Sequence, residues 1–80
     1  MRKSVHSEGL KAFCHIMAEA RNRAGLTQQK LAGQLKKHQS FVAKYENGER
    51  RIDVIEFITI ARAMGEDPVS LLQALARRLK

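Results

Sequence analysis

What these 80 residues lack narrows their function before any motif is found. The single cysteine, Cys14, cannot form an internal disulfide, which agrees with a reducing compartment. No apolar run reaches membrane-spanning length and the first residues hold no secretory apolar stretch, so a soluble, cytoplasmic protein without a membrane partner is expected. Acidic residues are scarce, 8 against 15 Lys and Arg, leaving a net charge of +7. Polyanions are the natural partners of such a chain, although charge alone does not choose among DNA, RNA and an anionic membrane face.

Catalytic signals are missing too. His6, His15 and His38 fall on different predicted elements, no nucleophile has an evident base, and no Gly-rich phosphate loop occurs. No enzyme is expected. Cys14 and His15 are neighbours, but adjacent helical residues point apart and no further ligands stand at metal spacing. Cys14 is therefore read as a buried thiol, His6 and His15 as surface residues, and no metal or cofactor is expected.

The chain shows no convincing strand, repeat, linker or low-complexity tail, and its apolar spacing predicts five short helices. In the first, Leu10, Phe13, Met17, Ala20 and Ala24 form one stripe between a Ser7 cap and Gly25, and Ile16 lies off it. Thr27 caps a second helix whose Leu31, Ala32 and Leu35 point inward. The third runs from about Gln39 to Asn47, buries Val42 and Tyr45, and ends at Gly48 in a left-handed turn. Asp53 and Glu56 form a capping box for the fourth, with Val54, Phe57, Ile58, Ala61 and Met64 as its stripe. Asp67-Pro68 opens a fifth helix, about 68–79, which is apolar over more than one face. The expectation is an all-α single domain, 1–80, near the lower size limit for burying a core unaided.

The segment QLKKHQSFVAKYENG, 34–48, departs from plain helix patterning. Lys36, Lys37 and His38 interrupt the apolar spacing, and the following helix spends its outer face on long polar side chains. Small Ala32 and Gly33 sit where the second and third helices would cross, which is the plan of a helix-turn-helix at about 28–47. Gln39 and Ser40 then lie at the tip of the helix that enters the major groove, with Lys44 one turn on. Glutamine can pair with adenine N6 and N7, lysine with guanine O6 and N7, and serine is permissive. Phe41 would either cover a thymine methyl or pack on the second helix. Backbone amides at the start of the second helix, with Thr27 and Gln28 beside them, suit a phosphate. Lysines on a surface are ordinarily just solvated; their place in this motif turns Lys36 and Lys37 into expected phosphate contacts, along with His38.

LTQQKLAGQL, QSFVAKYENGERR and RRIDVIEFITIARAMGEDP, taken in order, resemble the phage-repressor type of helix-turn-helix domain, the lambda-repressor-like or xenobiotic-response-element family. The similarity covers about Leu10 to Leu72. It implies a five-helix lambda-repressor-like domain, a largely buried ion pair of Arg21 with Glu46, and phosphate contacts from Asn47, Arg50 and Arg51. The chain departs from the family pattern at the turn, where Lys36 stands for the usual glycine, Lys37 for an apolar residue and His38 for a serine or threonine cap. Lys36 must then adopt a backbone angle that glycine accepts more cheaply.

The function implied is a duplex-DNA-binding transcription regulator, acting as a repressor and a homodimer on an inverted-repeat operator. Leu71, Leu72, Leu75 and Leu79 exceed what one core-facing stripe can hide and are the expected dimer contacts. Three other readings share this size: a restriction-modification controller, an antitoxin that also binds a toxin, and a pure protein-interaction module. The basic charge around the third helix weighs against the last. No residues identify a contact for polymerase.

Overall fold

The computed structural model describes residues 7–79. They form α1 (Glu8–Arg23), α2 (Gln28–Leu35), α3 (Gln39–Glu46), α4 (Val54–Ala63) and α5 (Pro68–Arg78), with no strand among the described residues. The helix starts follow their caps. Ser7 Oγ accepts from the Leu10 amide at 3.1 Å, Thr27 Oγ1 from Lys30 at 3.0 Å, and Asp53 and Glu56 close a reciprocal capping box. Asp67 caps α5 ahead of Pro68. Each cap satisfies amides that the first turn leaves without an intrahelical partner.

Helix ends at Gly25, Gly48 and Gly65 use positive φ, as the sequence suggested for Gly48. The α2 end does the same with a lysine. Lys36 sits at φ 58, ψ 42, and the Lys37 amide reaches back to the Ala32 carbonyl at 2.9 Å. A left-handed residue with a Cβ is strained by about 1 kcal/mol or more. Lys36→Gly is accordingly expected to raise stability by about 1 kcal/mol while weakening duplex binding, measured by urea denaturation and by titration with random duplex. Equal or lower stability would show that Lys36 is held there by something other than the motif's geometry.

The core joins Met17 and Ala20 of α1 to Leu31, Ala32, Val42, Tyr45, Ile60 and Ala61. Ile16, unplaced by the periodicity, is buried at 5% exposure because α1 packs against both α3 and α5 and so hides a broader arc than one stripe. Two stripe assignments are corrected. Ala24 is exposed, because α1 has already ended and Ala24 is its C-cap; Val54 is 70% exposed at the first position of α4, and Ile60 takes a core place instead. Cys14 is half-buried rather than buried, its thiol donating to the Tyr45 carbonyl at 3.2 Å. Burial pushes that thiol up from its ordinary range, which makes it a poor nucleophile. His15 is exposed and pairs with Glu19; His6 lies outside the described residues.

The four leucines of α5 divide. Leu71 belongs to the core at 4% exposure, which removes it from any surface between subunits. Leu75 is partly buried against the core. Leu79, half exposed, leans on α1, where a Cβ on Gly9 would meet its side chain at 3.1 Å. Leu72 is exposed at 53% and stands beside Val54 at the mouth of a shallow groove floored by Phe13 and Phe57.

Candidate nucleic-acid interface

α2 and α3 are joined by three residues and pack against each other, with fully buried Leu31, Ala32, Val42 and Tyr45 between them and the rest of the core. At about 100° of turn per residue, burying Val42 and Tyr45 sends Ser40 and Lys44 to the opposite side, with Gln39, Ala43 and Asn47 beside them. Gln39, Lys44 and Asn47 are exposed, Ser40 and Ala43 half-buried. The sequence reading omitted Ala43, because alanine has no polar atom to draw notice.

The tip of α3 is organised by His38. Its Nδ1 accepts from the Ser40 amide at 3.2 Å and lies 3.1 Å from the Ser40 hydroxyl, so the imidazole serves as the cap that serine or threonine supplies more often. Accepting at Nδ1 requires that this nitrogen carry no proton. His38 thus holds the backbone of the tip, with its ring still exposed.

Behind the polar face runs a chain of hydrogen bonds that starts in α1. Arg21 donates through Nε to Glu46 Oε2 at 2.8 Å and through Nη2 to Oε1 at 3.1 Å, and through Nη1 to the Leu26 carbonyl at 2.9 Å. Only 13% of the Arg21 side chain and 6% of the Glu46 side chain reach solvent. The Glu46 carboxylate raises the Arg21 guanidinium pKa further, against the opposing effect of burial. Gln28 Nε2 donates to Glu46 Oε1 at 3.0 Å, and Gln39 Nε2 donates to Gln28 Oε1 at 3.2 Å. The Gln39 amide therefore keeps its Oε1 and one Nε2 hydrogen free, the acceptor and donor that an adenine edge requires. One Nε2 hydrogen of Gln28 also remains for a phosphate.

Phe41 is half-buried. It lies edge-on to Tyr45, with ring centroids 5.5 Å apart, beside a groove shared with Leu35, Ile55 and Ile60 of the protein itself. Its ring carries Lys37 Nζ at 5.4 Å and the Arg50 guanidinium at 4.8 Å. Of the two options left open by the sequence, the structure shows the packing.

Cations rim this face. Lys36, Lys37, Arg50 and Arg51 are all exposed, as are Thr27 and Asn47 at the helix ends. Arg50 pairs through both Nη atoms with Glu56, at 3.1 and 3.0 Å, a contact between a loop and a cap that no helical spacing announces. That bond, with the Asp53 amide behind it, holds the Glu56 carboxyl below its usual range. The Arg51 side chain has no protein partner among the described residues. Tyr45 keeps its hydroxyl buried with no hydrogen-bond partner among them, and burial pushes its pKa well up. The described residues contain no group of side chains arranged to hold a metal ion, and no described helix is long and apolar enough to cross a membrane.

This is a helix-turn-helix with its second member's outer face free. The chain belongs to the helix-turn-helix family HTH_3, which matches residues 17–71, and it is of the XRE, lambda-repressor-like type. That is a family of DNA-binding transcription regulators, typically without enzymatic activity. Among solved structures, an XRE-family like protein from Pseudomonas syringae pv. tomato is similar at 46% identity and a TM-score of 0.84, over 92% of this chain and 90% of that one. The wild-type restriction-modification controller C.Esp1396I superposes at a TM-score of 0.81 over 92% and 95% of the two chains, with 18% identity. Its tetramer in complex with a natural 35-base-pair operator gives a TM-score of 0.80 at 20% identity, over 94% and 100%. Those two likenesses concern fold. No match is found among curated proteins.

Proposed function

We propose that the protein is a repressor that binds an inverted-repeat duplex operator as a homodimer and reads it with Gln39, Ser40 and Lys44. The observation that carries this reading is the Arg21–Glu46–Gln28–Gln39 chain, which presents a glutamine amide with its adenine-matching atoms free at the tip of α3. Thr27, Gln28, Lys36, Asn47 and Arg51 flank it as phosphate contacts, and these fix register without specifying sequence. Repression by covering a promoter asks for nothing beyond such binding. That a controller of similar fold is known in complex with its operator fits a DNA partner here.

The dimer contact moves from the row of four leucines to the exposed patch where Val54 and Leu72 meet, with Val69, 59% exposed, on the same helix as Leu72. Symmetric binding of this kind asks that a two-fold axis set the two reading helices about one duplex turn apart. Sedimentation of wild type and Leu72→Asp should give a dimer that the charge dissociates, and footprints on selected sites should protect two inverted half-sites. A wild type that stays monomeric at high concentration with and without DNA, protecting one unrepeated half-site, would refute symmetric binding.

A further inference from the structure

Arg21 and Arg50 are both paired with a glutamate, but they are left in different states. Arg21 spends Nε, Nη1 and Nη2 on Glu46, Leu26 and Asn22. Arg50 gives Nη1 to Glu56 and to the Arg51 carbonyl at 2.8 Å, and one hydrogen of Nη2 to Glu56. Its Nε–H and second Nη2–H remain, side by side on one edge of the guanidinium. That edge suits two oxygens of a phosphate, because the fork is planar and its spacing matches them. Glu56 is fixed in turn by the Asp53 amide at 2.9 Å, so the free edge of Arg50 is held in place rather than swinging on its stem.

Lys37, from the turn before α3, and Arg50, from the loop after it, each lie over the ring of Phe41, with Nζ 5.4 Å and the guanidinium 4.8 Å from its centroid. Both cations also act on the Glu56 carboxylate, where Arg50 and Lys37 each favour the ionised form. Two cations from separate segments are thereby brought to one ring. An aromatic face attracts each of them through its quadrupole.

Resting on the reading that this face binds duplex DNA, we propose that Lys37 and Arg50 hold one and the same backbone phosphate, and that Phe41 is the residue that positions them. Phe41 touches neither base nor phosphate; it acts by keeping the ammonium and the guanidinium edge together before DNA arrives. Ordering them in advance spares that cost on binding.

Random-duplex affinity across salt tests this on the full chain. Each phosphate neutralised contributes about −0.9 to the log–log salt slope. With a shared phosphate, Lys37→Ala and Arg50→Ala each leave the slope close to wild type, and the double variant loses about 0.9. Loss of about 0.9 from each single variant and about 1.8 from the double would show two separate phosphates and overturn the proposal. Phe41→Leu, which keeps an apolar side chain but no π face, is expected to weaken random-duplex binding by about fivefold, and Phe41→Tyr to restore it. In the Lys37→Ala/Arg50→Ala background Phe41→Leu should add nothing. If it weakens binding there as much as in wild type, Phe41 supports only the packing of α3 and the positioning role falls. A wild type without salt-sensitive duplex binding would overturn the functional reading itself, a result distinct from additive slopes.

Discussion

Glu46→Ala is expected to destabilise the protein by about 3 kcal/mol, because it strands the largely buried Arg21 guanidinium without its carboxylate. For a domain this small that is a fall in Tm of roughly 15 °C. Replacing both partners, as Arg21→Met with Glu46→Leu, should recover most of the loss, since an apolar pair of similar volume avoids the desolvation that the ion pair suffers. Recovered stability should not bring recovered function. Without the carboxylate, Gln28 loses the acceptor that orients it, and Gln39 loses the oriented acceptor that Gln28 supplies. The double variant should therefore fold and bind random duplex while discriminating poorly among sequences. Urea denaturation beside binding to selected and random duplex measures both effects; a Glu46→Ala protein within 0.5 kcal/mol of wild type would mean that the pair contributes nothing to the fold.

Gln39→Ala should collapse the ratio of specific to random binding, since a good bidentate base contact is worth about 1–3 kcal/mol and acts only on the matching site. Arg51→Ala should leave that ratio unchanged, weaken all duplexes alike, and make the salt slope shallower by about 0.9. Arg51 suits this role because its side chain is exposed and has no protein partner among the described residues. The measurement is specific and random affinity across a salt series for both variants. Should Gln39→Ala weaken both duplexes equally, α3 would not read bases through Gln39, and the roles of Ser40 and Lys44 would fail with it.

The helices, their caps and the strained Lys36 were legible in the sequence because each has a local cause: a cap residue at a fixed offset, a glycine or its conspicuous replacement at a turn. Ser7, Thr27, Asp53 and Asp67 all cap as their positions imply. What could not be read depends on which neighbours a helix meets. Ile16 is buried because α1 has two partners, and a single-stripe pattern assumes one. Leu71 and Leu72 are adjacent and chemically identical, and only the approach of α5 to the core decides that the first is buried and the second exposed. The site divides the same way. The polar residues on the outer face of α3 follow from the motif, and the Arg21–Glu46 pair from the family resemblance. The bonds from Gln28 to Glu46 and Gln39, and the stack of Lys37 and Arg50 on Phe41, join side chains across turns, with no periodicity to announce them.

The hydrogen-bond chain that ends at Gln39 has an evolutionary consequence. Lys44 is an exposed side chain one turn along α3, outside that chain, so on the proposed reading its identity can drift and retune half-site preference without disturbing the fold. Gln39 is tied through Gln28 and Glu46 to an arginine on α1, so a new residue there forfeits a contact within the protein as well as the proposed one to DNA. Duplicated copies of this gene should therefore diverge in operator choice at position 44 first, and α3 grafted alone onto another helix-turn-helix should carry over the preference of Lys44 more faithfully than that of Gln39.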